Sequence, residues 1–200
     1  MKKITPLILF LLMQFCTALS AAELPVVSNE LPSPVAGKAQ IVFLKPGPVV
    51  YGHMLAEIYE LGDSDRQLIG MLDKKTKLIL DVEPGKHRFM SVAYGDAHFM
   101  EGDFEGGKRY YILARFIMSR GYQLRPIKLN GPEDYSPKNP QFKSWVAETT
   151  IIKKTLAMDK AYKSKKKRVS KIQAKSWPLW LARTAEQRAE LTMNKEDFID

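Results

Sequence analysis

The stretch Lys77-Leu78-Ile79-Leu80-Asp81-Val82, followed by Glu83-Pro84-Gly85-Lys86 and then His87-Arg88-Phe89-Met90-Ser91-Val92-Ala93, decides the fold class. In an extended chain successive side chains point to opposite faces, so Leu78, Leu80 and Val82 share one face. Pro-Gly supplies backbone dihedrals that other residues resist, so Pro84-Gly85 is expected to turn a hairpin between two strands.

The same texture repeats outward. Short apolar runs rich in β-branched and aromatic residues cover 39–44, 54–60, 67–72, 98–104, 109–117 and 122–129. Polar or Gly/Pro-rich turns separate most of them: Lys45-Pro46-Gly47-Pro48, Gly62-Asp63-Ser64-Asp65, Asp73-Lys74-Lys75-Thr76 and Glu105-Gly106-Gly107-Lys108. Runs of this length and spacing predict an antiparallel β-sandwich of seven to eight strands over 37–129. Tyr110 and Tyr111 are adjacent and must face opposite sides, one plugging the core and the other capping an edge.

Gly37-Lys38-Ala39-Gln40-Ile41-Val42-Phe43, the Gly70 turn, Val82-Glu83-Pro84-Gly85-Lys86-His87 and Gly106-Gly107-Lys108-Arg109-Tyr110-Tyr111 occur in that order. The series resembles a family of exported bacterial proteins, domain-of-unknown-function family 2846. The likeness covers about 38–116. It implies a small envelope-associated β-sandwich without an assigned activity. Many relatives in that family are lipoproteins. Here Phe15 precedes Cys16, where acylation needs a small residue, so lipidation is not expected.

Beyond residue 129 the texture changes. Residues 130–141 hold Gly131, Pro132, Pro137 and Pro140 and read as a loop. From Phe142 the apolar spacing becomes helical. Phe142, Trp145, Thr149, Ile152 and Leu156 form one stripe suited to docking on a sheet, and 142–200 is expected to be a helical, basic extension. Trp177-Pro178-Leu179-Trp180 is expected to interrupt the helix. Thr184-Ala185-Glu186-Gln187 has the spacing of a capping box and predicts a last short helix.

At the other end, Lys2 and Lys3 precede an apolar stretch from Ile4 to Leu19, and Ser20, Ala21 and Ala22 follow it. This is the pattern of a cleaved secretory signal over 1–22; it is too short for a comfortable membrane span. Residues 23–36 carry Pro25, Pro32 and Pro34 and read as an extended, mobile leader. Export to the periplasm or cell envelope is the expected location. Cys16 is the only cysteine, so the mature chain is expected to fold without a disulfide and to need a real hydrophobic core. Apolar residues at 45% and charged residues at 26% exclude a disordered, collagen-like or multi-span chain.

Chemistry-bearing patterns are sparse. His53, His87 and His98 fall on separate predicted strands or turns. Asp96, His98 and Asp103 are the nearest approach to a metal set, but a second histidine and any cysteine are missing, so no metal is expected. No Gly-x-Ser-x-Gly elbow and no phosphate loop occurs, so the chain is expected to be non-catalytic and to take no cofactor. The sharpest signal is charge. Residues 146–200 carry 13 basic and 7 acidic side chains, most of the +9 total. Lys163, Lys165, Lys166, Lys167, Arg168 and Lys171 sit at its centre, with Trp177 and Trp180 beyond as expected interface aromatics. In an exported protein such a segment points to an anionic membrane surface or an acidic envelope polymer or protein, not to nucleic acid. The alternative places function in the sandwich, as a peptide- or glycan-binding module acting through a strand edge or loops. A weaker alternative is a metal-dependent hydrolase built on His98.

Overall fold

The computed structural model describes residues 29–47, 54–63 and 65–199. The expected signal segment, Cys16, the start of the leader and His53 lie outside the described residues. Eight strands run through the first part: β1 Ala39–Lys45, β2 Ala56–Leu61, β3 Arg66–Leu72, β4 Thr76–Val82, β5 Gly85–Ala93, β6 Asp96–Phe104, β7 Arg109–Ile117 and β8 Gly121–Pro126. Then follow α1 Phe142–Glu148, β9 Thr150–Ile152, α2 Leu156–Leu181, α3 Ala185–Ala189 and β10 Thr192–Met193.

The strands form two five-stranded sheets, ordered β8-β7-β1-β4-β9 and β10-β6-β5-β2-β3. The chain passes repeatedly from one sheet to the other, and this corrects the role of Pro84-Gly85. β4 pairs with β1, whereas β5 pairs with β2 and β6. The turn, with Gly85 at φ 124, therefore carries the chain across the sandwich rather than closing a hairpin. The hairpin turn lies further on. Tyr94 and Gly95 both have positive φ between β5 and β6, the pattern of a two-residue turn matched to strand twist.

The sandwich is mixed rather than purely antiparallel. β1 pairs with β7 in parallel, from Gln40 opposite Arg109 to Leu44 opposite Leu113. β9 joins β4 and β10 joins β6, also in parallel. The C-terminal segment is therefore part of both sheets and not a detached extension. Between the sheets, Phe43 meets Phe89 edge-on at 5.3 Å, and Phe104 meets Tyr110 at 5.0 Å. Tyr110 is fully buried; its hydroxyl donates to the Lys195 carbonyl and accepts from Glu105 N–H. Tyr111 points the other way, into a second cluster under α1, where its ring meets Phe142 edge-on.

Both outer faces of the sandwich are covered. All seven residues of β1 are consequently buried, and a simple alternation is lost. Over the first sheet lie α1, Leu31, Tyr135 and Ile199. Lys77, with no exposed surface, donates to the Asn29 and Val146 carbonyls and so ties the leader and α1 to β4. Arg109 donates to the Pro32 carbonyl. The described part of the leader is thus bound down, contrary to the mobility expected of it. Over the second sheet lies α2.

The predicted helical stripe from Phe142 to Leu156 is split. Thr149-Thr150-Ile151-Ile152 is a β-branched run, which favours extended backbone, and the free edge of β4 takes it up as β9. Thr155 then caps α2, its hydroxyl accepting from Met158 N–H. Pro178 does not break α2, which continues to Leu181. It removes one donor near the end of the helix, while Trp177 and Trp180 on either side hold that turn to the sheet. Thr184 and Gln187 form the expected capping box of α3.

Candidate functional site

The basic centre of the chain lies on α2, so what α2 does with its two sides determines which charges are available. The inward side carries a narrow apolar line. Val169, Ile172 and Trp180 are buried on the second sheet, and Ser176 accepts from Ala97 N–H at 3.1 Å. Trp177 meets Phe99 edge-on at 5.0 Å, and the Arg88 guanidinium lies 4.9 Å above its ring. Trp180 is 3% exposed against the same Phe99. The interface role expected for these tryptophans does not hold for Trp180, whose ring is spent on docking the helix; Trp177 is half-buried.

Polar contacts fix the register of the helix. Arg66 of β3 donates to Gln173 Oε1 at 2.6 Å, to Ser170 Oγ at 2.8 Å and to the Lys166 carbonyl at 3.0 Å. Lys165 Nζ lies 3.3 Å from Glu57, whose other oxygen accepts from the Tyr59 hydroxyl at 2.6 Å. Burial, then that bond to Glu57, pushes the Tyr59 hydroxyl pKa far up. Lys175 pairs with Asp96 at 3.6 Å.

The remaining cations form the outward side. Lys160, Lys163, Lys166, Lys167, Arg168 and Lys171 are exposed, and among the described residues no carboxylate pairs with them. Of the six residues singled out from sequence, five are therefore free at the surface, and Lys165 is engaged in docking. Lys160 belongs with the free set; it stands apart from the dense run in sequence but only one turn before Lys163 and Ser164 in the helix.

The candidate metal set is not assembled. Asp96 and His98 share one face of β6, whereas Asp103, an odd number of residues on, falls on the other, about 23 Å along the strand. His98 is buried and bonds to the Arg120 carbonyl at 3.0 Å; burial holds its pKa below the usual value. Asp96 pairs with Arg120 and Lys175, and Asp103 with Lys195. Among the described residues no group of three His, Cys, Asp or Glu side chains is placed to hold a metal ion.

Two adjoining clefts lie on the second sheet: one of about 620 Å³ flanks the C-terminal half of α2, and one of about 520 Å³ is lined by β2, β5, β6 and Thr192. They share Leu61, Gly62, Asp63 and Arg88. Within them Arg88 donates to Glu101 at 2.8 Å, and Asp103 pairs with Lys195. His87 lines one of them. Its ring bridges Glu60 at 2.6 Å and the Glu83 carbonyl at 2.8 Å, and the bond to Glu60 raises its pKa. Sequence spacing gave no sign of these clefts, because residues from β2, β5, β6 and α2 meet there only through the fold.

Among the described residues no helix is long and apolar enough to cross a membrane. No family model, curated protein or solved structure matches the chain. The resemblance over 38–116 rests on the turn and strand motifs alone, and α2 is what gives this molecule a distinct surface.

Proposed function

We propose that the protein is a non-catalytic β-sandwich of the periplasm or cell envelope that binds an anionic surface or an acidic partner through the outward side of α2. The observation that carries this reading is the set of six exposed cations without carboxylate partners among the described residues, presented on a helix that the sheet holds in place. A docked helix has already lost its freedom in folding, so binding orders only side chains. Each cation near an anionic membrane contributes about 1 kcal/mol, falling off within a Debye length.

The test is retention on heparin resin and on vesicles containing phosphatidylglycerol, at about 0.05 M and about 0.5 M salt. It uses the chain from Glu23, which retains both sheets and every helix of the described residues. The intact surface binds at low salt and releases at high salt. Lys163→Glu/Lys167→Glu/Lys171→Glu loses retention on both matrices; retention equal to the parent overturns the reading. The cleft beside Trp177 favours a second reading, a peptide or glycan module, in which Trp177→Ala and not charge reversal abolishes capture of the partner.

A further inference from the structure

Resting on the reading above, we propose that the partner of α2 is a lipid bilayer with anionic headgroups, on which the helix lies flat with Leu156 and Leu181 dipped below the headgroup level. The inference comes from which residues share the outermost line of the helix. At 3.6 residues per turn, Leu156, Lys160, Lys163, Lys167, Lys171 and Leu181 fall within one stripe roughly 80° wide, opposite the buried Val169 and Ile172. Only the small Ala174 and Pro178 come between the last lysine and Leu181 on that line. Leu156 is 88% exposed and Leu181 is 55% exposed. The two ends of the stripe lie about 37 Å apart.

Three features of this stripe distinguish a bilayer from a polyanion in water. It carries no acid, so its four ammonium groups repel one another at i,i+3 and i,i+4 spacing; a helix face solvated by water gains from mixed signs instead. Its leucines stand at both ends. A soluble acidic polymer gives them nothing, whereas a bilayer offers an apolar phase a few ångströms below the phosphates. The lysines between them have stems long enough to lie along that boundary with the ammonium at phosphate level. Leu179 supplies an internal comparison. It is 61% exposed on the same helix but sits roughly 120° round from the middle of the stripe, where a flat-lying helix does not bring it to the membrane.

The experiment measures partitioning onto vesicles of phosphatidylcholine and phosphatidylglycerol, alongside affinity for heparin, using the chain from Glu23. Leu156→Ser/Leu181→Ser is expected to lower vesicle partitioning roughly tenfold and to leave heparin affinity unchanged. Leu179→Ser is expected to change neither. All three leucines are solvent-exposed, and circular dichroism checks that the variants keep the parent fold. Equal partitioning of the double variant and the parent overturns the bilayer proposal while the charge-based reading stands. So does an equal loss with Leu179→Ser, and so does a parent that binds heparin but not vesicles. A parent that binds neither matrix overturns both.

Discussion

The two outer faces of the sandwich are covered in different ways. The first sheet is roofed by pieces: a stretch of leader, α1, a loop and the last residues of the chain, gathered around Val42, Leu44, Tyr111 and Leu113. A buried lysine, Lys77, stitches two of those pieces together through their carbonyls. The second sheet is roofed by one helix of 26 residues that touches it along a single thin line. Patchwork covers are shaped wholly by what lies beneath them. A single helix buries under half its circumference, and the rest of it is open to selection for something other than stability. The charge lies on that second kind of cover.

The comparison breaks most visibly at Trp180. If the helix is held along so narrow a line, Trp180→Ala costs about 3–5 kcal/mol and releases α2 from the sheet. Denaturant unfolding with hydrogen exchange checks this; a cost under about 1 kcal/mol would show that the line is not what holds the helix. The patchwork side is tested at Lys77. Lys77→Met leaves the Asn29 and Val146 carbonyls without their buried donor and is expected to cost about 1–3 kcal/mol, with faster exchange in the leader and α1 but not in α2.

A smaller effect separates two histidines of the second sheet by pH. His87 has a raised folded pKa, so its contribution is full below the unfolded value of 6.5 and is lost as pH rises through the folded value. His98 has a lowered folded pKa, because burial disfavours its charged form. Its contribution is full above 6.5 and is lost as pH falls toward the folded value. Unfolding midpoints measured between about pH 5 and 8 should lose their alkaline decline in His87→Gln and their acidic decline in His98→Gln.

Much of the fold is legible in the chain, for identifiable reasons. The eight main strands lie within a few residues of where alternation and turn pairs put them, because both signals are local. The parallel strands β9 and β10 are three and two residues long, and their pairing is decided by the edges of β4 and β6, which no local pattern announces. The same limit explains Pro84-Gly85. The dipeptide specifies a turn, but whether the chain returns to its own sheet or crosses to the other depends on partners far away in sequence. At the candidate site the charge of α2 is plain from composition. The division of that charge between docking and display is not, because Glu57, Asp96 and Arg66 come from strands about 80 to 110 residues earlier.

The parallel pairing of β1 with β7 has a consequence for the order of assembly. The central strand of the first sheet waits for a neighbour that follows it by 69 residues. The second sheet is completed only when Thr192 and Met193 reach β6, and Ile199 N–H closes onto the Arg109 carbonyl, 90 residues away. Pairings this distant pay loop-closure entropy before their contacts reward it, so the two sheets are completed slowly, after local pairs such as β5 with β6. Until β10 docks, the edge of β6 stays open, the kind of edge on which chains aggregate.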